Sequence, residues 1–303
     1  MPTVNNFSFM LTPVTVAQLK SAWPIIRLVP DFIIKSSAGY LPPLKISRVR
    51  YGRSSRGREI DGYLIICSLL HREPSGLGED FILDKIIAAG QIARRLGCVM
   101  LGLGGYSSIL SARGYDKIAQ NLKIPVTNGS ALTVWTVIEA LYRAARIKKI
   151  ALQGLNAAII GNDTCIGRLS AVKLLEFGLR VDKGGAEALK QADIVINAAN
   201  STDGLINIKD LKPGVIFCDV SLFSLAEKAK LRDDINVIEA GLIKLPSGQV
   251  ISAGMAEAIL LAFGQRFVSF YLGTDINPDR VEEIADIAAW HGFEVYASEA
   301  PVL

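Results

Sequence analysis

Short apolar runs of strand character alternate along this chain with longer stretches in which apolar positions recur every three or four residues. Gly62 to Leu69 reads as a buried strand. Glu79 to Leu96 places Ile82, Ile86, Ala89, Ala93 and Leu96 on one helical face and stops at Gly97. Cys98 to Leu103 is the next strand and runs into Gly104-Gly105-Tyr106-Ser107-Ser108; a short helix and the strand Ile124 to Thr127 follow. Ala131 to Arg146 predicts a long connecting helix. Beyond it come strands at 157–160, 179–182, 193–198 and 215–220, helices at 166–177 and 187–191, and a further strand at 236–239. Two helices close the pattern, Ser252 to Phe270 and one from Asn277-Pro278 to His291-Gly292.

This alternation argues for an α/β fold with largely parallel sheets. It divides the chain into an N-terminal α/β substrate-type domain (1–130), a reduced Rossmann-like dinucleotide-binding domain (131–250) and C-terminal helices (251–303). The last are expected to pack back on the first domain and leave a cleft between the two.

Composition narrows the function classes. Half of the 303 residues are hydrophobic, so the chain is globular, and 33 basic against 29 acidic residues leave too small a surplus for nucleic-acid binding. Arg48, Arg50, Arg53, Arg56 and Arg58 read as a solvated hairpin in preference to an anion contact. Cys67, Cys98, Cys165 and Cys218 are dispersed with no CxxC spacing, the pattern of reduced thiols in a cytoplasmic protein. The N-terminus lacks the features of a signal peptide, and Leu96 to Ala112, the longest uncharged stretch, falls short of a transmembrane segment. A soluble chain this apolar also suits contact with a membrane surface. His71 and His291 are the two histidines, too few for a Ser-His-Asp triad or a multi-histidine site, and no metal is expected. Self-association is left open.

The candidate chemistry lies in two places. An apolar run ends in Gly161, turns through Asn162-Asp163-Thr164-Cys165-Ile166 and resumes at Gly167 as a helix. In a dinucleotide-binding βα turn, backbone N–H groups and the positive helix end face a pyrophosphate. The middle glycine of that turn is Thr164 here. Asp182, 21 positions beyond Gly161, stands where a carboxylate receives the ribose hydroxyls, which favours NAD over NADP; Lys183 beside it blunts the preference. The cofactor set is therefore Gly161, Asn162, Thr164, Cys165, Ile166, Gly167, Asp182 and Asn200, with NAD or NADP as the group. The segment from Asp182 to Asp193 is too short for the usual next helix and third strand. A fold that binds cofactor weakly or not at all stays open beside the binding reading. Cys165 as a nucleophile would compete with the phosphates and is disfavoured.

The second place is Gly104, Gly105, Tyr106, Ser107 and Ser108 after a strand, with Gly129, Ser130 and Asp219 near the same presumed cleft. Glycine-freed N–H groups and hydroxyls suit a small-molecule or acyl-type ligand with an oxyanion. A tight packing turn explains the glycines equally well. Asn128 or Ser130 is better placed to cap the following helix. Lys244, Asp219, Tyr106 and Ser107 are the proton-donor candidates.

Leu103-Gly-Gly-Tyr-Ser-Ser-Ile109, the turn Gly161 to Gly167, Ala256-Glu-Ala-Ile-Leu-Leu-Ala-Phe263 and His291-Gly-Phe293 together resemble the long-chain acyl-(acyl-carrier-protein) reductases of cyanobacteria. The resemblance implies a substrate domain, a Rossmann domain and C-terminal helices. It also implies reduction of a fatty acyl thioester to an aldehyde by NADPH through an acyl-cysteine. The family's nucleophilic cysteine falls on Gly254, its Gly-Asn-Thr-His-Thr on Gly129-Ser-Ala-Leu-Thr133, and its middle turn glycine on Thr164. A glycine supplies no nucleophile, so activity by that mechanism is not expected. Two alternatives follow: an NAD(P)-dependent oxidoreductase of altered chemistry, similar in layout to shikimate and amino-acid dehydrogenases, or a non-catalytic ligand-binding or regulatory relative.

Overall fold

The computed structural model describes residues 6–13, 15–57, 59–69, 78–105, 112–182, 185–199, 207–221, 224–266, 268–270 and 277–299. The chain divides into two compact units, Met1–Gly129 with Gly254–Asp275, and Ser130–Ala253 with Ile276–Leu303.

The first unit is built on a five-stranded sheet of order β2-β3-β1-β4-β5, formed by β1 (Asn6–Leu11), β2 (Leu44–Arg53), β3 (Glu59–Ile66), β4 (Cys98–Leu103) and β5 (Val126–Thr127). Only the β2–β3 pair is antiparallel. Helices α3 (Glu79–Arg95) and α4 (Ala112–Leu122) bury Ile82, Ile86, Ala89, Ile118 and Leu122 against Ile65, Leu101 and Leu103 of the strands. Gly97 ends the α3 segment with a φ of 73°. Ahead of β2, α1 (Val16–Ala22) and α2 (Asp31–Ser37), with 3₁₀ turns at Pro24–Ile26 and Ala38–Tyr40, cover Ile66. A capping box holds the start of α1: Thr15 accepts from the Gln18 N–H, and Gln18 accepts from the Thr15 N–H. None of β1, α1 or α2 was expected from the pattern, yet β1 lies in mid-sheet. The arginine cluster falls on the β2–β3 hairpin, where Arg48 pairs with Asp61; Arg58 lies outside the described residues.

The second unit opens with α5 (Ser130–Lys148). Its sheet comprises β6 (Asn156–Ile160), β7 (Arg180–Asp182), β8 (Ile194–Asn197), β9 (Ile216–Asp219), β10 (Asn236–Lys244) and β11 (Val250–Ser252), in the order β11-β10-β9-β8-β6-β7, with β12 (Glu294–Glu299) on β10. The run from β7 to β10 is parallel; β11 and β12 are antiparallel to β10. Helices α6 (Cys165–Glu176), α7 (Ala186–Gln191), α8 (Ala226–Ala229) and α10 (Asp279–His291) complete it. This is a Rossmann-like layout. No strand pairs beyond β7 among the described residues, as the short Asp182–Asp193 segment implies.

The C-terminal region departs from the expectation. The closing helix of the first unit, α9 (Ala253–Phe263), stops well short of Phe270. Gly264 and Gln265, the latter at a φ of 54°, break it, and the Phe270 N–H then bonds the Val126 carbonyl beside β5. The second closing helix, α10, belongs to the second unit and not the first. It leads into the unexpected strand β12 and is tied to α6 by Lys173, which bridges Glu176 at 2.8 Å and Glu282 at 2.5 Å. Burial works against the Lys173 ammonium, but the two carboxylates outweigh it and hold its pKa above the usual lysine value. No helix among the described residues is long and apolar enough to cross a membrane.

Candidate functional site

In the second unit the chain leaves β6 for β7 on one side and returns to β8 on the other. The carboxyl ends of β6 and β8 thus form the point where strand order reverses, which is where such sheets bind ligands. Gly161 leaves β6 there with a φ of 76°, and a Cβ on it would come within 2.7 Å of the Ala198 and Ala199 backbone. A Cβ on Gly167 would meet the Gly161 carbonyl at 2.1 Å. Both glycines are therefore demanded by the close passage of turn, helix and β8.

Thr164 is not under that demand. It is the N-cap of α6, with φ −76° and ψ 157°, angles open to any residue. Its Oγ1 donates to the Gly161 carbonyl at 2.7 Å and accepts from the Gly167 N–H at 3.0 Å. The side chain is buried, turned into the backbone of the turn itself. One of the first N–H groups of the helix is therefore spoken for by the protein.

Next to it stands a cation that the pattern did not single out. Arg168 lies in the opening turns of α6, a helix with no carboxylate in its first turn. A positive charge there opposes the helix dipole. Its Nε is buried with no hydrogen-bond partner among the described residues. An anion held at this helix end would answer both costs. The two-glycine cradle suits the close approach of a dinucleotide's phosphates, and Arg168 adds a positive charge one turn into the following helix.

The other proposed cofactor residues are distributed around this turn. Asn162, Cys165 and Ile166 are half-buried within it. Asp182 is exposed at the carboxyl end of β7, opposite Ala158 in register. Asn200 lies outside the described residues. Asp219, at the end of β9, neighbours Asn197 of β8. Its carboxylate accepts from Asn197 Nδ2, from the Ser221 N–H and Oγ, from Ser224 Oγ and from the Leu225 N–H. Asp219 organises the turn into α8, and its oxygens are committed to that turn. Burial pushes the Cys218 thiol well up, and the adjacent Asp219 adds to it.

In the first unit, Gly104 and Gly105 serve packing. A Cβ on Gly104 would meet the Met10 carbonyl at 2.6 Å; one on Gly105, whose φ is 61°, would meet Thr12 Oγ1 at 2.1 Å. Tyr106, Ser107, Ser108 and His71 lie outside the described residues. Gly129 meets Gly254 backbone to backbone, and a Cβ on Gly129 would reach 2.3 Å from the Gly254 Cα. Ser130 is buried as the first residue of α5. The reverse substitution is different: a Cβ on Gly254 finds its nearest neighbours, Gly129 and Phe9, at 3.9 Å. Beside this contact Thr127 Oγ1 accepts from the Gly129 N–H at 3.3 Å and donates to Glu257 Oε1. Thr127 and Glu257 are wholly buried. The pattern gave no role to either; the available signal was a lone carboxylate inside the apolar run 253–263. Among the described residues no group of His, Cys, Asp and Glu could hold a metal ion.

No protein-family model matches the chain. A curated protein, Aminotransferase PigE of Serratia sp. (strain ATCC 39006), is 28% identical over 257 residues, an alignment covering 71% of this chain and 30% of that protein. The chain thus spans about 30% of the length of the relative it matches. Solved structures that resemble it include the Leu-bound hetero-hexameric glutamate dehydrogenase of Thermus thermophilus (13% identity, 95% of this chain and 77% of that one, TM-score 0.46). Another is the L-tryptophan dehydrogenase of Nostoc punctiforme (14%, 94% and 80%, TM-score 0.40). A third is the Trypanosoma brucei methylenetetrahydrofolate dehydrogenase-cyclohydrolase complexed with NADP cofactor and inhibitor (12%, 86% and 87%, TM-score 0.41).

Proposed function

We propose that the second unit binds a nicotinamide dinucleotide and that the chain is an NAD(P)-dependent oxidoreductase of altered chemistry, acting on a small carbonyl or acyl-type substrate. The observation that carries this is the turn from Gly161 to Gly167 at the strand-order reversal, with the unpartnered Arg168 Nε beside it. Gly161 and Ile166 would hold the pyrophosphate by their backbone, Gly167 would let the helix start pass close to the turn, Arg168 would supply the charge, and Asp182 would face the ribose. The bound group would supply the hydride. Position 254 offers no nucleophile, so the reading excludes the acyl-cysteine route of the acyl-(acyl-carrier-protein) reductases that the sequence resembles.

Titration of the pure protein with NADH and NADPH, followed by nicotinamide fluorescence, tests the reading. Micromolar binding of either, weakened at least tenfold in Arg168→Ala, is the expected result. No binding of either at millimolar concentration would sink it.

A non-catalytic ligand-binding role is the second reading, favoured by Gly254 and by the Gly167 N–H that Thr164 consumes. Gly254→Cys tests, for both readings, whether the first unit still takes an acyl ligand. A Cβ at position 254 meets its neighbours at ordinary contact distance, and the cysteine's thiolate would attack a thioester carbonyl and expel the thiol leaving group. An acyl adduct in the intact mass after mixing with a fatty acyl thioester would show that the acyl pocket persists. Its absence would remove acyl ligands from both readings.

A further inference from the structure

In the layer formed by α1, α2 and their two 3₁₀ turns, the stretch from Pro24 through α2 carries large apolar side chains outward as well as inward. Inward, Val16, Leu19, Ile34 and Ala38 pack on Ile66, with Trp23, Ile26 and Val29 at the margin. Outward, Leu28 is 98% exposed, Ile25 80% and Phe32 72%, and Ile33 is also exposed. An amphipathic helix needs one apolar face, and a second one lacks its cover. A cluster of large apolar side chains on one short stretch, unlike single exposed ones, marks a place of contact.

Charge says what the contact is. From Thr15 to Tyr40 the layer carries three cations, Lys20, Arg27 and Lys35, against one carboxylate, Asp31. That carboxylate is already held by Lys20 at 2.7 Å. Arg27 adjoins Leu28, and Lys35 follows two positions after Ile33. Leu28 projects almost entirely into solvent from the turn between the Pro24–Ile26 segment and α2. A protruding leucine and phenylalanine with two exposed cations close by in sequence is the arrangement of an interfacial segment that dips into a lipid boundary.

We infer that this layer docks on an anionic membrane surface, with Leu28 and Phe32 entering the acyl boundary and Arg27 and Lys35 meeting lipid phosphates. The inference stands apart from the cofactor reading, because it uses none of the residues around Gly161.

Flotation of the full chain with vesicles tests it. Binding is expected to mixed phosphatidylcholine–phosphatidylglycerol vesicles and not to phosphatidylcholine alone, and it should fall as salt is raised. Replacing Arg27 or Lys35 by alanine should weaken binding roughly fivefold for each charge removed. The pair Leu28→Ser and Phe32→Ser should abolish binding with the thermal melt unchanged, since both side chains are already in water. Failure to bind the mixed vesicles, or equal binding to neutral ones, overturns the inference. So does a lipid-free dimer, seen by light scattering, that the serine pair dissociates, because the cover would then be a second copy of the chain.

Discussion

Two glycines with opposite surroundings give the sharpest residue-level contrast. Gly161→Ala places a Cβ against the Ala198 backbone at a left-handed φ, and should cost more than about 2 kcal/mol in urea unfolding. Gly254→Ala meets nothing closer than 3.9 Å and should change stability by less than about 0.5 kcal/mol. Similar losses from the two would refute this account of the turn. The thiols are ordered in the same way. Burial raises Cys67 to about 12, slightly offset by Lys85, and Cys98 to about 11, slightly offset by its hydrogen bond with Ser8. Cys218 is raised too, and all three are buried. Only the thiolate reacts, so iodoacetamide at pH 8 should alkylate half-buried Cys165 first, read by peptide mass spectrometry. Bound dinucleotide should slow that reaction. Faster labelling of Cys67 or Cys98 would contradict the packing. Thr164 shows the limit of motif reading at this scale: the sequence reveals a missing glycine, and coordinates reveal that its replacement works as a helix cap.

At the scale of elements, the β6–turn–α6 segment was legible because its glycines answer local demands that leave a mark in sequence. The connecting helix α5 was legible through its long apolar period. β1, α1, α2 and β12 were not. Asn6–Leu11 is a six-residue segment, Asn-Phe-Ser-Phe-Met-Leu, too short for its pattern to single it out as a central strand. Its central place comes from pairing with β3 and β4, partners that lie far along the chain. The Thr127–Glu257 bond was invisible for the same reason, its partners being 130 positions apart. Glu257→Ala should cost about 2 kcal/mol or more, because it leaves the buried Thr127 hydroxyl unanswered, whereas Glu257→Gln keeps an acceptor and should lose markedly less. Thermal melts of the pair check this, and equal losses would mean that the bond contributes nothing. A gain is expected where α5 ends. Lys149 occupies the left-handed position at a φ of 54°, and the Ile150 N–H bonds the Ala145 carbonyl in a Schellman closure. Lys149→Gly relieves that strain and should raise stability by up to about 1 kcal/mol.

At the scale of the whole molecule, each unit is assembled from two separated stretches of chain. The second unit needs α10 and β12, so ending the chain after Asp275 should strip hydrogen-exchange protection from α5 and β10 while α3 and α4 keep theirs. Retained protection in β10 would show that β12 is dispensable. The first unit has the more unusual dependence. Its α9, which brings Gly254 to Gly129 and Glu257 to Thr127, is encoded after the first stretch of the second unit, Ser130–Ala253. At ordinary translation speeds the ribosome takes roughly 6–25 s to cover that interval. The nascent first sheet must wait through it with the flank of β5 bare, and the second unit waits longer still, until α10 and β12 have been made.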